Sequence, residues 1–238
     1  MCGRFVSTTP PEELATYFDA VAPTEAALQT EYNVAPTSDV YVVMSDGDAR
    51  RLRPLHWGLV PFWAKDPSIG NRMINARAEG LAEKNAYKAA FKRRRCIVPA
   101  DGFYEWKKVA GHKTKQPYFI HRPDHELLAF AGLWEEWKPK GSDGSDRLRS
   151  TTIITTTANE TMAPVHDRMP VILPPGAWDE WLDPDNDDTA ALGRLLVPAP
   201  PRVLTMHAVS TDVGNVRNHG PHLIDPIPAD EVIGGLAG

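Results

Sequence analysis

The second residue of the chain is a cysteine, followed by Gly3-Arg4-Phe5. Initiator methionine is removed efficiently when residue 2 is small, and cysteine qualifies. Loss of Met1 leaves an α-amine and a thiol on adjacent carbons of Cys2. Their reference pKa values, about 7.7–8.0 and about 8.5, supply a useful share of each nucleophile near neutral pH. A 1,2-aminothiol has one characteristic reaction. Its amine condenses with an aldehyde to an imine, and its sulfur then closes a five-membered thiazolidine. Taken alone, Cys2 reads more readily as a small buried residue at a chain end.

Three further clusters set polar side chains in apolar or aromatic surroundings. In Arg72-Met-Ile-Asn-Ala-Arg-Ala-Glu79, Asn75 and Arg77 are two residues apart, so on an extended segment both project to one side. In Ala100-Asp-Gly-Phe-Tyr-Glu-Trp106, Glu105 stands between two aromatics, where desolvation raises a carboxyl toward the range of a general acid or base. In Pro164-Val-His-Asp-Arg-Met-Pro170, His166 sits in a proline-bracketed loop before a strand, a frequent position for a catalytic imidazole. Each also has a structural reading: an asparagine holding a turn, a glutamate in a strand ion pair, a histidine satisfied by backbone. Arg77 likewise has a structural reading, an ion pair with Glu79 or another carboxylate.

The elements that must carry these groups are mostly strands. Thr9-Pro-Pro-Glu12 reads as a capping box, and Leu14, Tyr17, Phe18 and Val21 give an amphipathic helix over 10–21. Val40–Met44 is a β-branched run, Ser45–Asp48 a turn, and Arg51–Trp57 its antiparallel partner. An irregular loop over 58–74 carries Phe62 and Trp63, and a helix is expected over about 79–92. Strands follow at Cys96–Val98, Gly102–Lys107, Tyr118–His121, Leu127–Leu133, Arg149–Thr157, Met169–Leu173 and Val203–Val209. Gly141–Asp146 reads as an exposed hairpin loop, and one or two helices fall within 176–196. Close-set strands outnumber helices, which favours an antiparallel, barrel-like sheet with helices packed outside it, an α+β fold. No linker or repeat divides the chain, so one domain is expected over 1–238, its last ten residues a tail.

Composition narrows the function classes. A hydrophobic fraction of 42% with 24% charged residues is ordinary for a folded chain and excludes a disordered polyelectrolyte. The 22 prolines scatter without a repeat, the sign of many structured loops. No apolar run approaches the roughly 18 residues of a membrane span. Two cysteines 94 positions apart suggest neither a zinc ribbon nor a disulfide framework. With no apolar stretch at the N-terminus, a cytoplasmic location is expected. The formal charge of −5 hides an asymmetry: residues 1–122 carry 18 basic and 13 acidic side chains, residues 123–238 carry 8 and 18. Within Lys84–Lys115, ten basic residues face only Asp101 and Glu105. That run is either a solvated face or a nucleic-acid groove.

Taken together and in order, the blocks are far more specific. Met1-Cys-Gly-Arg-Phe5, Tyr32-Asn-Val-Ala-Pro36, Trp57-Gly58, Ile74–Glu79 and Cys96–Trp106 resemble the SOS response-associated peptidase (SRAP) family, the abasic-site processing proteins. Gln116-Pro-Tyr-Phe119, Thr155–Asn159, His166–Pro170 and Val213-Gly-Asn-Val-Arg-Asn218 extend the resemblance to nearly the whole chain. The resemblance implies a shield for abasic sites in single-stranded DNA, with Cys2 crosslinking to the sugar aldehyde. It implies that Asn75 positions the cysteine and sugar, that Glu105 is the acid/base carboxylate, and that His166 is the catalytic histidine. It assigns Arg4 and Arg77 to phosphates, and Asn33 and Thr155 to the lesion or its flanks. It further implies removal of Met1, by the protein itself or otherwise, a weaker lyase activity, and an open β-barrel. Some members carry two adjacent tryptophans as a base wedge; here the position reads Phe62-Trp63-Ala64, leaving Trp63 alone or Phe62 with Trp63.

The partner expected on these grounds is single-stranded DNA bearing abasic sites, including single-strand/duplex junctions, bound by a monomer on the basic face of residues 1–122. No metal or organic cofactor is required, because Cys2 and substrate supply every reactive atom. Two other readings stay open: an N-terminal-nucleophile peptidase acting on peptides, and a non-catalytic single-strand-binding module.

Overall fold

In the computed structural model, residues 2–24, 26–47, 49–141 and 146–234 are described. They form, in chain order, β1 (Phe5–Ser7), α1 (Pro11–Tyr17), β2 (Ala20–Val21), β3 (Glu31–Val34), β4 (Asp39–Asp46), β5 (Ala49–Trp57) and β6 (Asn75–Arg77). Next come α2 (Lys88–Arg93), β7 (Arg95–Ala100), β8 (Gly102–Lys107) and β9 (Gln116–His121). The last are β10 (Leu128–Trp137), β11 (Leu148–Thr157), β12 (Arg168–Pro170), α3 (Trp178–Leu182), α4 (Thr189–Arg194) and β13 (Thr205–Ala208).

The β-branched run of β4 shows why its sequence is apolar without alternation. Val40, Val42 and Met44 pack into one core while Tyr41 and Val43 pack into another. A strand buried on both faces reads as a continuous apolar run. β4 pairs antiparallel with β5 and β7, β7 with β10, and β10 with β11. The circuit then closes, because β11 pairs in parallel with β5 at Ser150↔His56 and Thr151↔Trp57. The expected open barrel is therefore a closed five-stranded one. A glycine permits the closure. Gly58 follows β5 at φ +140°, its amide donates to the Thr151 carbonyl at 2.9 Å, and a Cβ there would lie 2.6 Å from the Gly70 carbonyl oxygen.

A second, antiparallel sheet runs β13-β9-β8-β1-β3 and lies against the barrel. Its inward residues Phe5, Phe103 and Ile120 share a core with Trp57, Val98, Phe130 and Ile153 of the barrel, and Cys2 belongs to that core. Phe5 stacks edge-on to Trp57 at 5.1 Å and to Phe130 at 6.4 Å. Complete burial of a side chain such as Phe5 contributes about 1.5–3 kcal/mol, which anchors the N-terminal segment. The other core is covered by helices through Leu14, Phe91, Trp178 and Trp181.

Local expectations fail where a distant partner wins. The capping box at Thr9 does not form: Thr9 Oγ1 instead donates to Asp101 at 2.6 Å, and Asp101 also accepts from the Thr8 amide at 2.6 Å. The first helix stops at Tyr17, and Ala20–Val21 joins the barrel sheet beside β5. The helix expected over 79–92 shrinks to Lys88–Arg93, because Gly80 and Asn85 are weak helix formers in its first half. The loop expected at Gly141–Asp146 has residues 142–145 outside the described residues, as are Met1 and the end of the tail from residue 235.

Candidate active site

The site begins where the N-terminal segment joins β8. β1 and β8 pair antiparallel at Phe5↔Phe103, and the Tyr104 amide donates to the Arg4 carbonyl at 3.0 Å. That register carries Gly3 and Cys2 alongside Glu105. Cys2 and Glu105 are both buried. Burial pushes the Cys2 thiol far up, and the negative charge of Glu105 pushes it further. The thiol is therefore protonated at neutral pH, and a carboxylate stands beside it.

The opposite wall is β6, which pairs in parallel with β11 at Ile153↔Asn75, Ile154↔Ala76 and Thr155↔Arg77. Alternation turns Ala76 into one core and sets Asn75 and Arg77 on the other side, beside Ile153 and Thr155. Asn75 Nδ2 donates to the Cys2 carbonyl at 2.8 Å, fixing the cysteine backbone, while Asn75 Oδ1 is buried and accepts no hydrogen bond among the described residues. Thr155 is buried with its Oγ1 likewise unsatisfied. Arg77 is exposed. The alternative pairing with Glu79 is largely pre-empted, since Arg168 grips both Glu79 oxygens at 2.6 and 3.0 Å and also donates to the Thr155 carbonyl at 2.6 Å. Arg168 hence braces β11 and β12 against the end of β6.

His166 lies between β11 and β12 in a loop shaped by Asn159. The Asn159 side chain accepts from the Met162 amide at 2.9 Å and donates to the Ala199 carbonyl at 2.8 Å. The Arg168 amide approaches His166 Nδ1 at 3.0 Å, and Asp167 Oδ1 lies 2.9 Å from the same nitrogen. Accepting from the amide needs a bare Nδ1, and pairing with Asp167 needs a protonated one. We favour the amide bond, because the Asp167 side chain is 88% exposed and its charge is screened. The ring hydrogen then resides on Nε2. His166 lines a groove of about 400 Å3 with Trp106, Lys107, Lys108, Lys115 and Asp167.

The remaining sequence candidates separate into two places. Arg4 and Asn33 form a tie: Arg4 Nη1 donates to Asn33 Oδ1 at 2.8 Å and to the Val213 carbonyl at 3.0 Å. Asn33 Nδ2 donates to the carbonyls of Asn218 at 2.9 Å and Asn215 at 3.1 Å. Asn33 is buried and its amide is committed to backbone, so it holds the 213–218 segment against β3. The Arg4 guanidinium also lies over the Trp106 ring at 5.8 Å. Trp63 and Phe62 are exposed at 48% and 58%, on the loop after Gly58. Among the described residues, no cluster of three or more His, Cys, Asp or Glu side chains suits a metal ion, and no helix is long and apolar enough to cross a membrane.

The structure thus brings Cys2, Asn75 and Glu105 together, sets Thr155 and Arg77 beside them, and holds His166 at the adjoining groove. Arg168 and Asn159 are supports that reading of the sequence left without a role. Both fall inside the blocks His166–Pro170 and Thr155–Asn159, which was the available signal.

Comparison with known proteins shows the family. The signature of the SOS response associated peptidase (SRAP) family matches residues 1–216. The abasic site processing protein YoqW of Bacillus subtilis is 43% identical over 228 residues, covering 94% of this chain and 99% of its own. The abasic site processing protein HMCES of Xenopus tropicalis is 34% identical over 269 residues, covering 95% of this chain and 78% of its own. A crystal structure from Bacteroides thetaiotaomicron superposes with a TM-score of 0.84 at 23% identity, covering 95% of this chain and all of the other, which establishes the shared fold. With its motifs in order from Cys2 to Asn218, its barrel and its match across nine-tenths of the length, the chain belongs to the SRAP family of abasic site processing proteins.

Proposed function

We propose that the chain captures the open-chain aldehyde of an abasic deoxyribose in single-stranded DNA, through Cys2 freed of Met1, and so forms a covalent shield over the lesion. The observation that carries this reading is the pairing of Asn75 with the Cys2 carbonyl at 2.8 Å beside the buried Glu105. The residue that would hold amine and thiol together is fixed by its own backbone. Asn75 Oδ1 is left to accept a hydrogen bond from the α-amine.

The chemistry balances without an oxidant or metal. The neutral α-amine adds to the aldehyde carbon, and the carbinolamine loses water to give an imine. The protonated thiol then adds to the imine carbon. Its proton passes to Glu105 and nitrogen takes one from the surroundings, closing the thiazolidine with a net loss of one water. His166, with its hydrogen on Nε2, serves as donor to the ring oxygen during sugar opening. Arg77 neutralises a neighbouring phosphate, and Trp63 stacks on a flanking base. The imine also allows elimination of the 3′ phosphate, which is the weaker lyase activity. Removal of Met1 is hydrolysis of one peptide bond, for which Cys2 and Glu105 are a nucleophile and proton acceptor. The protein acts as a monomer in the cytoplasm, associated with the nucleoid when bound, on single strands and their junctions with duplex.

The test is a denaturing gel of processed protein mixed with a single-stranded oligonucleotide holding one abasic site. We expect a stable conjugate from the wild type and none from Cys2→Ala. Cys2→Ser should give only a labile species that borohydride traps. A wild-type yield from Cys2→Ala overturns the proposal.

A further inference from the structure

The basic run Lys84–Lys115 divides in the folded chain. Its three consecutive arginines are engaged within the fold: Arg93 lies 3.7 Å from Asp187, Arg94 pairs with Glu135 at 2.9 Å, and buried Arg95 donates to the carbonyls of Phe91, Lys92, Trp181, Asp183 and Asn186, while Lys84, Lys88 and Lys92, earlier in the run, stand exposed. The hairpin part is not. β8 and β9 pair through Lys107↔Gln116, so Lys108–Lys115 is the connecting loop. Lys107, Lys108 and Lys115 make no ion pair among the described residues, and Lys108 and Lys115 are exposed. All three line the groove that holds His166, where the one acidic side chain is Asp167. Lys108 and Lys115 also line a second hollow of about 520 Å3 on the hairpin, with His112 and Lys113.

The groove lies next to the site along β8. Glu105 and Lys107 are two residues apart on β8, so their side chains leave the same face about 7 Å apart. A strand of DNA held with its lesion at Cys2 would find Lys107 a short step beyond Glu105, then Lys108 and Lys115. We propose that this lysine hairpin and the His166 loop form a track for the phosphodiester backbone flanking the lesion, binding several nucleotides by charge alone. This assignment rests on the reading of the site given above. The lysine stems reach without fixed geometry, so the track would be indifferent to sequence.

The test uses the full chain and separates binding from chemistry. Lys107→Gln/Lys108→Gln/Lys115→Gln is compared with wild type in fluorescence anisotropy on a long single-stranded oligonucleotide holding a tetrahydrofuran abasic analogue, which cannot open to an aldehyde. Each lost phosphate contact lowers the salt slope by about 0.7, so three lower it by about 2. Raising salt from about 50 to about 200 mM should then cost the wild type about 20-fold more affinity than the variant. Crosslinking of a reactive abasic trinucleotide, too short to reach Lys108 and Lys115, should be unchanged in Lys108→Gln/Lys115→Gln. The exposed pair Lys108→Gln/Lys115→Gln repeats the measurement without touching half-buried Lys107 and should lower the slope by about 1.4. An unchanged slope on the long oligonucleotide overturns the proposal, as does an equal loss on the trinucleotide. Failure of the wild type to crosslink at all would instead count against the site reading, and the anisotropy arm would still decide the track.

Discussion

Replacing Arg77 with alanine separates a phosphate ligand from a structural ion pair. The side chain leaves β6 exposed, and the nearest carboxylate in sequence, Glu79, is already held by Arg168 at 2.6 and 3.0 Å. Removing Arg77 thus breaks no hydrogen bond within the described residues, and stability should change by no more than about 0.5 kcal/mol. For a chain of this size that is a melting shift of about 2 °C or less. Binding should respond differently. One phosphate contact to a single strand contributes about 0.7 to the slope of log affinity against log salt. Over a rise from about 50 to about 200 mM, the wild type should therefore lose about 2.6-fold more affinity than Arg77→Ala. The assay is anisotropy on the non-reactive analogue, with calorimetry on the same preparation. Arg77→Lys should restore the slope and recover only part of the affinity, because an ammonium cannot reproduce the two parallel hydrogen bonds of a guanidinium. Arg168→Ala is the counterpart: it frees Glu79 and the Thr155 carbonyl together and should melt several degrees lower. A large melting loss for Arg77→Ala with an unchanged slope would refute the reasoning and make Arg77 structural.

Glu105→Gln keeps the shape of the site and removes its proton acceptor, so affinity for the analogue should hold within about twofold while single-turnover crosslinking slows by about 100-fold or more. Equal rates would remove Glu105 from the chemistry. Arg95→Ala strips donors from five backbone carbonyls that join the ends of α2 and α3, and should cost about 3 kcal/mol or more in urea unfolding. Burial pushes the Cys96 thiol up to about 12 from 9.0. The folded state then keeps its proton while the unfolded chain ionises, so stability is full below pH 9 and falls between pH 9 and about 12. By pH 10 the loss due to Cys96 should be on the order of 1 kcal/mol, seen as a shallower alkaline loss in Cys96→Ala than in the wild type. Identical pH dependence of the two proteins would contradict it.

The strands were legible because their signal is local. Gly102–Lys107 carries three aromatic residues in six and Val40–Met44 its β-branching, and both stand where the sequence put them. Barrel closure was not legible, since it depends on two residue pairs between β5 and β11, nearly a hundred positions apart. The first helix was overcalled for a related reason: Ala20–Val21 satisfies the helical spacing and the pairing with β5 alike, and the sheet wins. In the site, the i, i+2 spacing of Asn75 and Arg77 was readable, while the capture of Glu79 by Arg168, 89 positions away, was not. Asn33 shows the limit from the other side. The resemblance marked it for the lesion, but its amide spans to carbonyls more than 180 residues on, a partnership that only the fold reveals.

The atom of the protein that holds the DNA distinguishes aminothiol capture from every other mode of attachment. Intact mass spectrometry of the conjugate with a single-stranded abasic oligonucleotide, followed by peptide mapping, reads this directly. We predict a mass equal to protein lacking Met1 plus oligonucleotide minus one water, with the DNA remnant on Cys2 and resistant to borohydride. A remnant on a lysine, or a conjugate that retains Met1 and forms at the same rate, would contradict it.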